Sequence, residues 1–160
     1  MRGRTMSVKE KDLQMIGYFR NNSRTSLTKL SRITRIPVST LFDKLKEYEK
    51  SNIIKKHTSL VDFKKLGYDV KTHMLITANK DMKDNMQRFL VQHPRVNSVF
   101  RINNGFDFLI EAIFRNMNEL DEFVKSLEEM NPKEKKEYFV MEDIKREEFL
   151  CYKDNLGILQ

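Results

Sequence analysis

The chain has 160 residues, 33% of them charged and 39% hydrophobic, with no Trp, five Gly and three Pro, so it is one large or two small folded domains rather than a disordered or collagen-like chain. Its net charge of +7 is uneven, with 16 Lys and Arg against 6 Asp and Glu through Leu66 and 14 against 17 beyond it. That split points the front half at an anion such as nucleic acid, with a merely solvated basic face as the alternative. The lone Cys151 excludes an internal disulfide framework, and neither a membrane-length apolar run nor a signal-peptide core is visible, so a cytoplasmic protein without membrane contact is expected.

Ser7 and Glu10 form a capping box that predicts a helix to about Arg20, with Leu13, Met15, Ile16 and Phe19 as its buried stripe. Asn21-Asn22-Ser23 stops it. Ser26 is placed to cap a second helix from Leu27 to about Thr34, with Leu27, Leu30 and Ile33 inward. Pro37 suits the first turn of a third helix whose inward stripe is Val38, Leu41, Leu45 and Tyr48, and Asn52 suits its left-handed end.

The period then changes. Val70, Thr72, Met74 and Ile76 alternate with Lys71, His73, Leu75 and Thr77, as in a strand. Met82, Met86, Phe89 and Leu90 mark a helix ended by Pro94. Val96 to Ile102 and Phe106 to Phe114 read as strands joined at Asn104-Gly105, a hairpin signal. Met117, Leu120, Phe123, Val124 and Leu127 mark another helix, and Tyr138 to Met141 a last strand. The order β-α-β-β-α-β predicts a ferredoxin-like sheet. No internal repeat or low-complexity segment is present.

Both crossover helices of that arrangement lie on one sheet face. Phe106, Phe108, Ile110, Ala112 and Phe114 are expected beneath them, with Asp107, Leu109, Glu111, Ile113 and Arg115 on the other side. Leu109 and Ile113 make that second face apolar enough to want a cover, and a second copy of the chain is the simplest one. A homodimer through Leu109 and Ile113 is expected; a sheet wet on one side is the alternative.

Four segments, in order, give the chain a family resemblance. Asp12 with "LQMIGYFRNNSRTSLTKL", "IPVSTLFDKLKEYEKSNII", "LVDFKKLGYD" and "NNGFDFLIEAIFRNMNELDEF" are similar to the motifs of the Lrp/AsnC transcription regulators. Arg24, Ser39, Thr40, Glu49 and Ile54 fall on matching positions. The chain departs from the pattern at Arg35 and Asn52, where the family has glycine, and at Lys44, where it has arginine. The resemblance implies an α+β chain with an N-terminal winged helix-turn-helix and a C-terminal βαββαβ effector and oligomerisation domain. The expected divisions are 1–54 for DNA binding, 55–67 for a basic wing and hinge, 68–145 for the ferredoxin-like domain and 146–160 for a tail.

In a helix-turn-helix the third helix here enters the major groove by its N-terminal turns. Ser39, Thr40, Asp43 and Lys44 then face DNA, with Asp43 suited to a cytosine amino group and Lys44 better suited to phosphate than to guanine. Phe42 is suited to a thymine methyl or to completing the core, and Ser39 and Thr40 equally to helix capping. Arg24, Arg32, Arg35, Lys55 and Lys56 are phosphate contacts. The resemblance further implies dimers that assemble further, often to octamers, and a small effector such as an amino acid near the "GFD" turn. Asn103, Asn104, Gly105 and Asp107 are the candidates there, with Asp107 holding an ammonium. A ligand-free tight turn, with Asp107 paired to a lysine across the interface, is the competing account.

Catalysis has little support. His57, His73 and His93 are scattered without Cys or carboxylates at metal-ligand spacing, and no Gly-rich phosphate loop is present, so no metal or cofactor is expected. Sirohaem decarboxylases look like the same two-part architecture and would use His73 and His93, but the basic front half favours a regulator. A non-specific architectural DNA-binding protein is a further alternative. An RNA- or protein-binding winged helix ranks lower, since stacking aromatics are few.

Overall fold

Three helices precede an alternating α/β segment in the computed structural model, which describes residues 10–151. The chain divides into two compact units. Among the described residues, one holds those from Glu10 to Leu60 with those from Lys145 to Cys151, and the other spans Val61–Ile144.

The first unit contains α1 (Glu10–Asn21), α2 (Leu27–Thr34) and α3 (Val38–Lys50). The Ser7 side of the predicted capping box lies outside the described residues. Ser26 caps α2 as expected, accepting from the Lys29 amide at 3.2 Å. The core is Met15, Phe19, Leu30, Leu41 and Tyr48. Three predicted core residues, Leu13, Ile33 and Val38, are instead exposed. On α1 the inward stripe is shared by Asp12, only 5% exposed, rather than by Leu13. From Lys55 to Asp62 the basic run has no regular structure, so the segment expected as a wing forms no strand. Glu147, from the C-terminal segment of this unit, accepts from Arg20 Nη2 at 3.0 Å.

The second unit is βαββαβ: β1 (Val70–Thr77), α4 (Lys83–Gln92), β2 (Val96–Arg101), β3 (Phe108–Phe114), α5 (Met117–Glu129) and β4 (Glu134–Phe139). The sheet order is β2-β3-β1-β4 with every pair antiparallel, as the ferredoxin-like order requires. Phe108, Ile110, Ala112 and Phe114 pack with Met86 and Leu90 of α4 and Leu120, Phe123 and Leu127 of α5. Asn116 caps α5, accepting from the Glu119 amide at 3.0 Å.

Two details differ from expectation. β3 begins at Phe108, so Phe106 leaves the helix-covered face, and its ring lies 5.1 Å from Lys136 Nζ. β4 begins at Glu134 and reads EKKEYF, a charged strand at a sheet edge, where charge discourages pairing with another chain.

Candidate nucleic-acid interface and effector turn

The turn between α2 and α3 is set by Arg35. It takes φ 57° and ψ 24°, the left-handed conformation that ends a helix, and its amide donates to Ser31 O at 2.9 Å. Arginine therefore holds the geometry usually given to glycine, at a steric cost of about 1–2 kcal/mol. Thr34 Oγ1 also donates to Leu30 O at 2.8 Å. Pro37 is the N-cap of α3 and offers no side-chain cap, so its first amides face outward uncapped, an electropositive end suited to an anion.

Ser39, Thr40 and Asp43 are exposed on the first turns of α3. Neither Ser39 nor Thr40 caps the helix, because the cap position falls on Pro37. Arg24, Arg32, Arg35, Lys55 and Lys56 are exposed, and they form no ion pair among the described residues. Lys44 is placed differently. Its ammonium donates to Asp12 Oδ1, which ties it to α1 and away from the face that Asp43 presents.

That pair belongs to a cluster the sequence reading did not assemble. The buried Tyr48 hydroxyl donates to the same Asp12 oxygen at 2.6 Å. Burial first, then the hydrogen bond to Asp12 and its negative charge, pushes the Tyr48 phenol well above its ordinary value. Asp12 sits three residues before Met15 and seven before Phe19. Helical periodicity therefore placed it on the inner face, and only its charge concealed that. A second missed contact is Lys46 Nζ, 4.4 Å from the centroid of the Phe42 ring. Phe42 lies outside the core.

In the second unit the β2–β3 hairpin closes through Ile102 N donating to Asp107 O at 3.0 Å. Asn104 and Gly105 take φ 65° and 93° in the turn, a conformation that Asn and Gly tolerate best. Asn103, Asn104 and Gly105 are exposed, and Thr77 Oγ1 donates to Gly105 O at 2.9 Å. Asp107 is already engaged: it accepts from Lys83 Nζ and, at 3.0 Å, from the Ala78 amide. The Lys83 hydrogen bond chiefly, helped by that amide and opposed by burial, holds its carboxyl below the usual carboxylate range. Asp107 is thus paired with a lysine of its own chain, Lys83, rather than with one across an interface.

On the sheet face away from the helices, Leu109 pairs across the strands with Leu75 and Phe100, and Phe100 is 54% exposed. Ile113 is only 7% exposed in the single chain, so it offers less surface to a partner than Leu109 does. Between them the buried Glu111 accepts from Asn97 Nδ2 and lies 3.4 Å from both Lys71 Nζ and His73 Nε2. His93 instead packs edge-on against Phe123, 4.7 Å between centroids, on the helix-covered face. The two histidines that a tetrapyrrole pocket would need are therefore on opposite faces of the sheet.

The profile of the Lrp/AsnC ligand binding domain matches residues 73–149. An uncharacterised HTH-type transcriptional regulator of Pyrococcus abyssi is 26% identical over 140 residues, covering 88% of this chain and 95% of its own. Among solved structures, a transcriptional regulator of Neisseria meningitidis in complex with L-Met superposes with TM-score 0.80 at 21% identity, covering 88% of this chain and 94% of its own. LrpC of B. subtilis does so with TM-score 0.80 at 19% identity, covering 88% and 99%. At these identities the solved structures show a shared fold, and the regulator relatives displace the decarboxylase alternative. The profile match makes residues 73–149 an Lrp/AsnC ligand binding domain, and over nearly its whole length the chain is similar to helix-turn-helix transcriptional regulators.

Proposed function

We propose that the chain reads specific double-stranded DNA with α3, as a dimer or larger assembly, under control of a small effector such as an amino acid. One observation carries the reading. Five exposed cations of the helical unit, Arg24, Arg32, Arg35, Lys55 and Lys56, have no ion-pair partner among the described residues. They are suited to phosphates, while Ser39, Thr40 and Asp43 are suited to the groove between them. Lys44 acts by holding α3 against α1 rather than by touching DNA.

The apolar row Leu75–Leu109–Phe100 supports a homodimer through the outer sheet face, with Leu109 at its centre and Ile113 a minor contributor. A dimer carries two copies of α3, which favours a roughly palindromic site with half-sites about 34 Å apart or a multiple of it. The N. meningitidis structure holds L-Met, which makes an amino acid the first effector to try here. Asn103, Asn104 and Gly105 offer exposed amides at the turn, and Asp107 helps through the shape it gives that turn with Lys83.

Nuclease footprinting on DNA from upstream of the protein's own gene tests the reading. Discrete protected stretches in phase with the DNA helical repeat are expected. Uniform protection along the fragment would support an architectural role instead.

A further inference from the structure

Two apolar side chains stand on the outside of α3 where its first turns meet solvent. Val38 is 43% exposed and Phe42 45% exposed, and they are one helical turn apart. The core of this unit is built without them: Leu41 and Tyr48 fill it and Leu45 packs against it, while Val38 and Phe42 stand at the solvent edge of that stripe. Isolated exposed apolar residues carry no message, but these two share one flank, and their sequence neighbours Ser39, Thr40 and Asp43 are polar and exposed. Phe42 is also held in place. Lys46 Nζ lies over its ring, 4.4 Å from the centroid.

We propose that Phe42 and Val38 read thymine 5-methyl groups, so that each half-site carries A·T pairs at two nearby positions. This rests on the DNA reading above. The major groove marks thymine by a methyl group, the one apolar feature a base edge presents there. Side chains four residues apart on a helix are about 5–6 Å apart. Base pairs rise about 3.4 Å. The two contacts therefore fall about two base-pair steps apart. The unpaired cations of the same unit supply the charge complementarity that makes DNA the occupant of this flank. Lys46 serves both surfaces, because its ammonium packs on Phe42 and remains free of any ion pair with a described carboxylate.

The test begins with duplexes selected by the full-length protein from a random-sequence library. Each thymine of the selected duplex is then replaced singly by deoxyuridine, which removes the methyl and keeps the base pair. The expected result is a loss of about fourfold in affinity at two positions near one another, the size of one buried methyl-sized group. In Phe42→Ala, whose fold is checked by circular dichroism, one of those two losses disappears, and in Val38→Ala the other does. Equal binding of thymine and uracil duplexes by the wild type would overturn the proposal while leaving specific DNA binding intact. Losses that persist unchanged in both variants would assign the methyl contacts elsewhere and overturn it as well. A library that yields no enriched duplex would remove the DNA reading and this proposal together.

Discussion

The Tyr48 hydroxyl donates to Asp12 Oδ1 at 2.6 Å, and Lys44 donates to the same oxygen, so one carboxylate of α1 fixes two successive turns of α3. The helix proposed to read DNA is thus aimed by a polar cluster as well as by its apolar stripe. Removing Asp12 leaves a buried phenol without an acceptor. Asp12→Ala should cost about 2 kcal/mol, and Tyr48→Phe about 1 kcal/mol, in urea unfolding. The two losses should not add in the double variant, because they share one bond. The Tyr48 phenol is held neutral in the fold above its ordinary range. Its contribution to stability is therefore complete below about pH 10, where the unfolded phenol is also protonated, and is lost as pH rises further. Tyr48→Phe should flatten that alkaline decline, and a decline unchanged in the variant would place its origin elsewhere.

Arg35 sets stability against function. Glycine at φ 57° relieves the steric cost of the left-handed conformation but loosens the unfolded chain. Arg35→Gly should therefore stabilise by about 0.5–1 kcal/mol, read as a higher Tm, while weakening DNA binding through loss of a phosphate contact. A variant that gains stability and binds DNA undiminished would remove Arg35 from the interface.

Arg32 and Asp43 should fail in different ways. Arg32→Ala should weaken binding about equally to all duplexes and lower the salt slope by about one counterion. Asp43→Ala should leave the slope alone and change the preferred sequence. Binding selections on both variants separate the two behaviours, and an unchanged preference in Asp43→Ala would count against base reading by that residue.

Leu109 lies between Leu75 and Phe100 on the outer sheet face. Leu109→Lys would place a charge in the middle of the proposed dimer contact, and sedimentation should show a shift to monomer. Phe100→Ala should act in the same direction but less. A dimer that survives both would place the interface elsewhere.

Much of this architecture was legible because periodicity and turn chemistry agree. The alternation of β1, the Asn104-Gly105 turn and the caps at Ser26 and Asn52 all correspond to observed geometry. What sequence reading missed were positions decided by tertiary partners. Asp12 is buried because Tyr48 and Lys44 satisfy it, and the Lys44 partner is hidden in the sequence because it lies 32 residues away. Val38, Ile33 and Leu13 fit an apolar period but end outside the core, whose space Leu30, Leu41 and Met15 already fill. The start of β4 was hidden because Glu134 to Glu137 carry none of the apolar signal of a strand and pair only with β1. Phe106 changes face because the strand starts two residues later than the hydrophobic run does.

The central claim is that α3 reads sequence and does not merely adhere to DNA. The most direct measurement is fluorescence anisotropy of the protein on DNA from upstream of its own gene and on a shuffled copy, each across a range of salt. A preference for the upstream duplex of about 10³ or more that persists as salt rises is expected. Equal affinities for the two duplexes at every salt concentration, both falling steeply together, would contradict it.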